Sequence, residues 1–237
     1  MTLTIPIFRL KRLARKYARE ARIPLHSALD QIAQNEGFRS WSQLAEWHES
    51  IASPKYLLSQ LTNGGLHLLA ARPGHGKTLL GLELLLAAIE GGRRGYFFTL
   101  EYTPADVLQR LKTLGVNPVS LGEDFILDTS DDICADHIIQ TCFSAPTDSI
   151  VVVDYLQLLD QQRYKPPLNH QLKALKKWAQ GSRMTVVLIS QIDRKFETSM
   201  DRHPGPEDIR LPNPLNLGLF ETGCFLHEGE VRIQQLD

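Results

Sequence analysis

One short segment has the residue types and spacing of a phosphate-binding loop. It reads Ala71-Arg72-Pro73-Gly74-His75-Gly76-Lys77-Thr78 and is followed by Leu79. The pattern is that of the P-loop, except that Ala71 stands where glycine is usual. Glycines let backbone N–H groups close around a phosphate, and a helix that starts after them adds partial positive charge. We therefore predict that residues 71–79 bind a nucleoside triphosphate; the alternative is a turn that only ends a strand.

Three side chains provide the groups that a metal-bound triphosphate needs. The ammonium of Lys77 can reach the β- and γ-phosphates, and the hydroxyl of Thr78 can ligate Mg²⁺. Asp154 follows the apolar run 150–153, and a carboxylate at that point can hold the water shell of the same ion. Thr78 and Asp154 are therefore the predicted metal ligands. In the alternative interpretation, Asp154 only ends a strand or caps a turn.

Two further polar residues come after apolar runs. Glu101 follows the run 96–100, and Gln191 follows the run 185–189. Glu101 is a candidate general base that orients and deprotonates the attacking water. Gln191 is a candidate contact to the γ-phosphate that reports hydrolysis to the next loop. The alternatives are an acidic residue that interacts with the dipole of the helix at Pro104, and an ordinary turn amide.

Apolar strands alternate with helices from residue 56 onward. Strands are predicted at 66–70, 96–100, 125–127, 149–153 and 185–189, and helices at 79–89, 103–115, from Asp131 or Asp132 to 142, and 169–180. Continuous apolar strands separated by helices indicate a mainly parallel sheet covered on both faces, which is an α/β fold. Ligands in such sheets bind at the carboxyl ends of the strands. Glu101, Asp154 and Gln191 should therefore lie beside the loop.

The first 50 residues have a different pattern. Helices are predicted at 7–22, 26–36 and 41–49, with Ser27 or His26 starting the second and Ser40 capping the third. The predicted organisation is a small helical domain at 1–50, a linker at 51–55 and an ATPase domain at 56–237. Residues 1–24 carry seven Lys or Arg against one Glu, whereas the whole chain has a net charge of −1. Any attraction to nucleic acid should therefore be local to this helix; the alternative is a face that only meets water or a protein partner.

The composition excludes several classes of protein. No run of 18 apolar residues is present, so no membrane partner is expected. Cys134, Cys142 and Cys224 form an odd set without zinc spacing. Reduced thiols in a cytoplasmic protein are the expectation.

Five sequence blocks resemble the ATPase domain of DnaB-type replicative helicases. They read ARPGHGKT, YFFTLEYTPADVLQRL, SIVVVDYLQLL, QLKALKKWA and VVLISQIDR, in the family's order and approximate spacing over residues 66–194. A fainter echo is PEDIR at 206–210. The resemblance implies a RecA-like P-loop core that uses ATP and Mg²⁺ in DNA replication or other DNA transactions. It also implies a homo-oligomer, with single-stranded DNA or a replication protein as partner.

The resemblance also assigns roles. Lys77 and Thr78 would bind phosphate and Mg²⁺, and Asp154 would be the Walker B acid. Glu101 would be the catalytic base and Gln191 the sensor linked to the γ-phosphate.

Three departures from the family concern features of DNA unwinding, so the sequence supports ATP hydrolysis more strongly than unwinding. The primase-interacting domain is replaced by the small helical segment, and a predicted acidic hairpin at 221–233 stands where the family has a basic one. The loop 195–211 lies where RecA-like proteins contact single-stranded DNA. Its charges are nearly balanced, and only Phe196 could serve as an aromatic platform, so strong binding of a single strand is not expected there. The candidates for an arginine acting on a neighbouring subunit are Arg194, Arg202, Arg210 and Arg232.

Two other functions fit the same residues. One is a nucleotide-dependent switch of the circadian-clock ATPase or recombinase-paralogue kind, which regulates a partner without unwinding. The other is an adaptor that uses its basic helices to bind DNA or a replication protein.

Overall fold

The fold comes from a computed structural model, which describes residues 3, 7–156, 159, 165–198, 203–210 and 216–236, without the side chains of 8, 50–52, 197 and 198. The chain divides into two compact units, Met1–Tyr56 and Leu57–Asp237. Each unit is built around its own buried apolar residues.

The first unit contains three helices, α1 (Ile7–Ala21), α2 (Leu25–Asn35) and α3 (Trp41–Ala52). Their apolar sides meet in a small core, whose buried members are Leu10, Ala33, Phe38 and Leu44. Trp41 and Trp47 pack against this core. Ser40 caps α3 by accepting a hydrogen bond from the Gln43 backbone N–H, as predicted.

The start of α2 and the segment after α3 differ from the predictions. Pro24 is the N-cap of α2, and its carbonyl accepts from Ala28 N–H, so the helix starts without Ser27 or His26 as a side-chain cap. Residues 51 and 52 belong to α3, and a fourth helix, α4 (Pro54–Ser59), begins two residues later. Pro54 therefore starts a helix within the predicted linker, where its fixed φ and missing N–H are tolerated.

The second unit is a seven-stranded sheet. Its strands are β1 (Leu66–Ala71), β2 (Gly95–Thr99), β3 (Phe125–Asp128), β4 (Ile150–Asp154), β5 (Thr185–Gln191), β6 (Thr222–His227) and β7 (Glu230–Gln235). The order across the sheet is β3-β2-β4-β5-β1-β6-β7, and every pair is parallel except β6 with β7. The predicted α/β class is confirmed, and the acidic segment at the end forms a hairpin that adds to the sheet beside β1.

Helices connect the strands. They are α5 (Lys77–Glu90), α6 (Pro104–Thr113), α7 (Ala135–Thr141) and α8 (Leu168–Ser182), with 3₁₀ turns at Pro118–Asp124, Arg194–Thr198, Pro206–Asp208 and Leu217–Leu219. Successive strand residues point to opposite faces. Val151 and Val153 of β4 therefore join one buried cluster, whereas Ile150 and Val152 join the other.

The predicted start of α7 at Asp131 or Asp132 is wrong. Those residues form a turn in which Ser130 Oγ accepts from Asp132 N–H and the Ser130 carbonyl accepts from Ile133 N–H. Such local hydrogen bonds compete with helix formation. Cys134 is the N-cap, and the helix begins at Ala135.

Candidate nucleotide site

The loop between β1 and α5 has the backbone conformation that a phosphate cradle requires. Gly74 and Gly76 have φ values of +81° and +84°, which residues with a Cβ rarely adopt. The His75 N–H donates to the Arg72 carbonyl at 3.1 Å, which closes the turn. Gly76 is the N-cap of α5 and has no side chain that could occupy the helix N-terminus. The first N–H groups of α5 therefore open toward a ligand.

Ala71 replaces the usual glycine without distorting the loop. It is the last residue of β1, fully buried, and its backbone is paired with Gln191 of β5 on one side and Leu226 of β6 on the other. An extended strand position accommodates a Cβ. The glycines that the turn needs come three and five residues later.

Thr78 and Asp154 meet at the start of α5. The Thr78 hydroxyl donates to Asp154 Oδ2 at 2.7 Å, and both residues are buried. Asp154 Oδ1 is buried with no hydrogen-bond partner among the described residues. Burial raises the pKa of Asp154 to about 6, although the hydrogen bond from Thr78 and the charge of Lys77 oppose that rise. The carboxylate is therefore a buried anion with one oxygen available to a further positive partner.

Lys77 and Glu101 lie beside this pair. Lys77 Nζ is 4.0 Å from Glu101 Oε2; the lysine side chain is 7% exposed and the glutamate side chain 33% exposed. The Glu101 N–H donates to Thr99 Oγ1 at 3.1 Å, which fixes the turn that leaves β2. The carboxylate thus reaches both solvent and the loop lysine, a position from which it can meet a water molecule.

Gln191 is held at the end of β5 beside the loop. Its carbonyl accepts from Arg210 N–H at 2.7 Å, and the next residue, Ile192, donates its N–H to the Ala71 carbonyl at 3.0 Å. Arg72 Nη1 donates to the Ile192 carbonyl at 3.0 Å. The backbone around Gln191 therefore links the loop to the segment that contains Arg210.

Two features near the site were not predicted from the sequence. The Arg110 guanidinium lies 3.8 Å from the centre of the Tyr102 ring, so α6 holds the residue that follows Glu101. His75 of the loop stacks on His227 of β6, with ring centres 5.6 Å apart. Sequence spacing gave no signal for the histidine pair, because it arises only when β6 is placed beside β1.

Phe196, the residue considered as an aromatic platform for single-stranded DNA, is buried. Phe196 is 5% exposed and belongs to a buried cluster, with its ring edge against His227 at 5.1 Å between centres. It is therefore not an exposed platform for a base. Among the candidate arginines, Arg194, Arg210 and Arg232 are exposed, and the Arg210 N–H also donates to the Gln191 carbonyl. Arg202 lies outside the described residues.

The cysteines are unpaired thiols. Burial raises the pKa of both Cys142 and Cys224 to about 12, and Cys134 is only partly exposed.

No group of three His, Cys, Asp or Glu suited to a metal ion occurs in the described ranges. In the same part of the chain, no helix is long and apolar enough to cross a membrane.

Comparison with known proteins identifies the family to which the chain belongs. The family described as "ATPase: KaiC" matches residues 55–204, which is more than half of the chain. The replicative DNA helicase DnaB of Mycoplasma pneumoniae is 26% identical over an alignment of 204 residues, covering 68% of this chain and 43% of the helicase. The chain thus spans less than half the length of that relative.

Two solved structures show the same fold. One is described as an ATPase domain and has a TM-score of 0.58 at 21% identity, covering 79% of this chain and 82% of that one. The other, a DnaB-like replicative helicase described with its interactions with primase, has a TM-score of 0.60 at 16% identity, covering 96% of this chain and 74% of that one. These likenesses confirm the predicted RecA-like fold.

Proposed function

The chain belongs to the KaiC family of ATPases, and from this premise we propose that it binds ATP with Mg²⁺ and hydrolyses the γ-phosphate. The observation that carries the proposal is the hydrogen bond of 2.7 Å from the Thr78 hydroxyl to Asp154 at the start of α5. It joins the last residue of the loop pattern to a carboxylate 76 residues away in sequence. Lys77 and Glu101 flank the same point.

The residues present fit a hard divalent cation. Thr78 Oγ1 and Asp154 offer oxygen ligands, which Mg²⁺ prefers. Asp154 Oδ1 is buried without a hydrogen-bond partner in the described part of the chain, and a buried carboxylate of this kind is stabilised by a nearby cation. Mg²⁺ held by Thr78, and through water by Asp154, would supply neutralisation of the charge on the β- and γ-phosphate oxygens.

Lys77 and the loop backbone act on the phosphates. The N–H groups at the start of α5 donate to them, and the Lys77 ammonium offsets their charge. Lys77 is nearly buried, so its charge is screened little by solvent. In the structure its carboxylate neighbour is Glu101; we expect the γ-phosphate of ATP to compete for the ammonium and to release Glu101 toward water.

Glu101 and Gln191 complete the proposed reaction. Glu101 accepts a proton from the attacking water, since its carboxylate is partly exposed and close to Lys77. The Gln191 amide contacts the γ-phosphate. Loss of that phosphate is transmitted through the backbone hydrogen bond that the Arg210 N–H donates to the Gln191 carbonyl.

We further propose that hydrolysis serves a DNA transaction in a homo-oligomer, with single-stranded DNA or a replication protein as the partner. The similarity to the DnaB helicase supports this proposal. A switch that hydrolyses slowly is the second candidate. The acidic β6–β7 hairpin favours it, because Glu228 and Glu230 stand where the helicase family has a basic hairpin.

The test is phosphate release by the purified full chain in the presence of Mg²⁺ or of EDTA. We expect turnover with ATP that EDTA abolishes, and turnover that Thr78→Ser preserves but Thr78→Ala reduces strongly, because serine keeps the hydroxyl. Turnover without a divalent cation would contradict the proposed metal site. No turnover at all would contradict the proposed ATPase activity.

Adding single-stranded DNA and measuring the native mass separates the two candidates. A motor should form oligomers and respond to DNA with faster hydrolysis. A switch should hydrolyse at one slow rate whatever DNA is added.

A further inference from the structure

A strongly charged surface lies on α1, far in sequence from the nucleotide site. Four of its cations recur at spacings of three, four and seven residues, which places them on one face of the helix. They also line one shallow surface depression of about 530 Å³, together with Glu20. We call these four residues the basic stripe: Arg12, Arg15, Lys16 and Arg19.

The opposite side of α1 is used by the core of its own unit. Leu10 and Ala14 are 2% and 0% exposed, whereas all four residues of the basic stripe are exposed. A membrane-surface helix needs a free apolar face to insert. The core occupies Leu10 and Ala14, whereas Leu13 and Tyr17 remain 45% and 39% exposed. Two partly exposed residues offer little apolar area for insertion, so the stripe is better suited to an anionic partner that stays in water.

The stripe is poorly neutralised by the protein itself. Lys16 pairs with Glu20 at 3.7 Å, but their side chains are 72% and 62% exposed, so the pair is weak. The side chains of Arg12, Arg15 and Arg19 make no hydrogen bond or ion pair with another described residue. Residues 1–56 contain nine Lys or Arg against five Asp or Glu, whereas residues 57–237 contain 17 against 22. Positive potential is therefore concentrated on this unit.

We propose that the basic stripe binds the phosphate backbone of duplex nucleic acid without reading its sequence. Seven residues of helix span about 10 Å, and a duplex presents about one negative charge per 1.7 Å of its axis. Four cations over that length therefore meet several phosphates at once. Contacts to phosphates position a protein but carry no sequence information.

The aromatic residues argue for a duplex over a single strand. Proteins that bind single strands combine positive charge with aromatic side chains on which bases stack. The stripe contains no aromatic residue; the exposed Tyr17 lies on the flank of α1 beside Leu13, and Trp41 packs against the core. The surface offers charge without stacking, and the duplex is the form with the higher charge density.

The test measures binding of labelled duplexes of two unrelated sequences to the full chain over a range of salt concentrations. Each phosphate contact contributes a slope of about −0.9 in log affinity against log salt, so four contacts give about −3.6. We expect both sequences to bind alike. The variant with Arg12→Gln, Arg15→Gln, Lys16→Gln and Arg19→Gln should lose most of this slope and at least about tenfold in affinity at low salt.

Two matched variants separate the stripe from general charge and from misfolding. Arg12→Lys, Arg15→Lys and Arg19→Lys keep the charge, so the slope should stay within about one contact of the original. The other variant removes four exposed cations elsewhere and should bind like the original protein: Arg39→Gln, Lys112→Gln, Lys173→Gln and Lys177→Gln. Thermal unfolding and ATP turnover check that each variant is folded.

Several results would overturn the proposal. Equal slopes for the original chain and the glutamine variant would remove the stripe from binding. The same loss in the control variant would show an effect of net charge alone. Tighter binding of single strands than of duplexes would contradict the duplex assignment. Binding of phosphatidylserine vesicles without binding of duplexes would assign the stripe to a membrane surface.

Discussion

The two units of the chain use charge in opposite ways. In the sheet unit, Lys77 and Asp154 are nearly or fully buried, and each has a defined neighbour at a measured distance. In the helical unit, Arg12, Arg15 and Arg19 are exposed and make no ion pair with a described residue. Buried charges are costly unless a partner compensates them, whereas exposed charges on a helix cost little.

This difference predicts how each unit recognises its ligand. Buried groups are screened little, so the nucleotide site should depend on single atoms and respond weakly to salt. Exposed groups act together at longer range, so the basic stripe should respond strongly to salt and only gradually to single substitutions. Substitutions in both units test whether that contrast holds.

Lys77→Ala should give the largest loss. It removes a nearly buried ammonium that faces the proposed phosphate position, and the loss of one preorganised electrostatic group costs about 10²–10³-fold in turnover. Phosphate release at saturating ATP measures the effect. Lys173→Ala removes an exposed lysine of α8 and serves as the control, with unchanged turnover. Full turnover by the Lys77 variant would place the nucleotide elsewhere.

Glu101→Gln should retain ATP binding and slow hydrolysis. The amide has nearly the shape of the carboxylate but cannot accept the proton, and the loss of a general base costs about 10²-fold or more. Titration with a fluorescent ATP analogue and single-turnover hydrolysis measure the two steps separately. Glu123→Gln, at an exposed position in the turn Pro118–Asp124, is the matched control. Weaker binding with normal turnover of the bound ATP would make Glu101 a structural residue.

The strand ends of the sheet unit were readable from the sequence for a physical reason. Buried parallel strands form continuous apolar runs, and the first polar residue after each run lies at the edge where ligands bind. This reasoning predicts Asp154 beside the loop, and in the structure its Oδ2 lies 2.7 Å from the Thr78 hydroxyl. The α/β class followed from the same runs. The roles of these residues are still proposals that the substitutions test.

Other features depend on contacts that no local pattern encodes. His227 reaches His75 because β6 pairs with β1, and nothing in either segment predicts a partner about 150 residues away. Phe196 is buried for a similar reason, since its ring packs against that histidine. Helix starts were missed where turns formed by backbone and hydroxyl groups competed, as at Ser130.

Tyr102→Ala should give an intermediate effect on hydrolysis. The Arg110 guanidinium lies 3.8 Å from the centre of the Tyr102 ring, and Tyr102 directly follows Glu101 in the sequence. Loss of the ring should therefore loosen the turn that carries the Glu101 carboxylate. We expect a fall in kcat of about tenfold, equivalent to about 1.4 kcal/mol, with little change in KM. Tyr102→Phe keeps the ring and should retain most of the activity. A rise in KM alone would assign the pair to nucleotide binding.

The helical unit contains a second contact between a cation and an aromatic ring, which serves as the control for the Tyr102–Arg110 pair. Lys11 Nζ lies 6.0 Å from the centre of the Trp41 ring, a weaker contact of the same kind. Lys11→Gln should leave kcat and KM unchanged. A change in kcat as large as that of Tyr102→Ala would break the contrast between the two units.

The smallest predicted effect compares one helix cap in each unit. Ser40 accepts from Gln43 N–H at 3.3 Å at the start of α3, and Thr103 accepts from Asp106 N–H at 3.3 Å at the start of α6. Replacing either residue with alanine should lower the stability of its helix by about 1 kcal/mol. The Thr103 cap lies two residues after Glu101, so only Thr103→Ala should also lower kcat, by about two- to fivefold.

Circular dichroism during thermal unfolding and phosphate release on the same samples distinguish the two outcomes. Hydrogen bonds from Thr103 lower the pKa of Asp106, so the α6 cap is present at neutral pH and weakens as acid protonates the carboxylate. The effect of Thr103→Ala should therefore shrink at low pH. That of Ser40→Ala should not, because the bond that Ser40 accepts from Gln43 N–H involves no carboxylate. The Asp30 carboxylate also accepts from Trp41 N–H at the start of α3, but that bond is retained in both variants. Equal losses of kcat in both variants would mean that global stability, rather than the position of Glu101, limits hydrolysis. An effect confined to Thr103→Ala would show that hydrolysis depends on local order at the end of β2, whereas a cap of similar strength in the helical unit has no influence on hydrolysis.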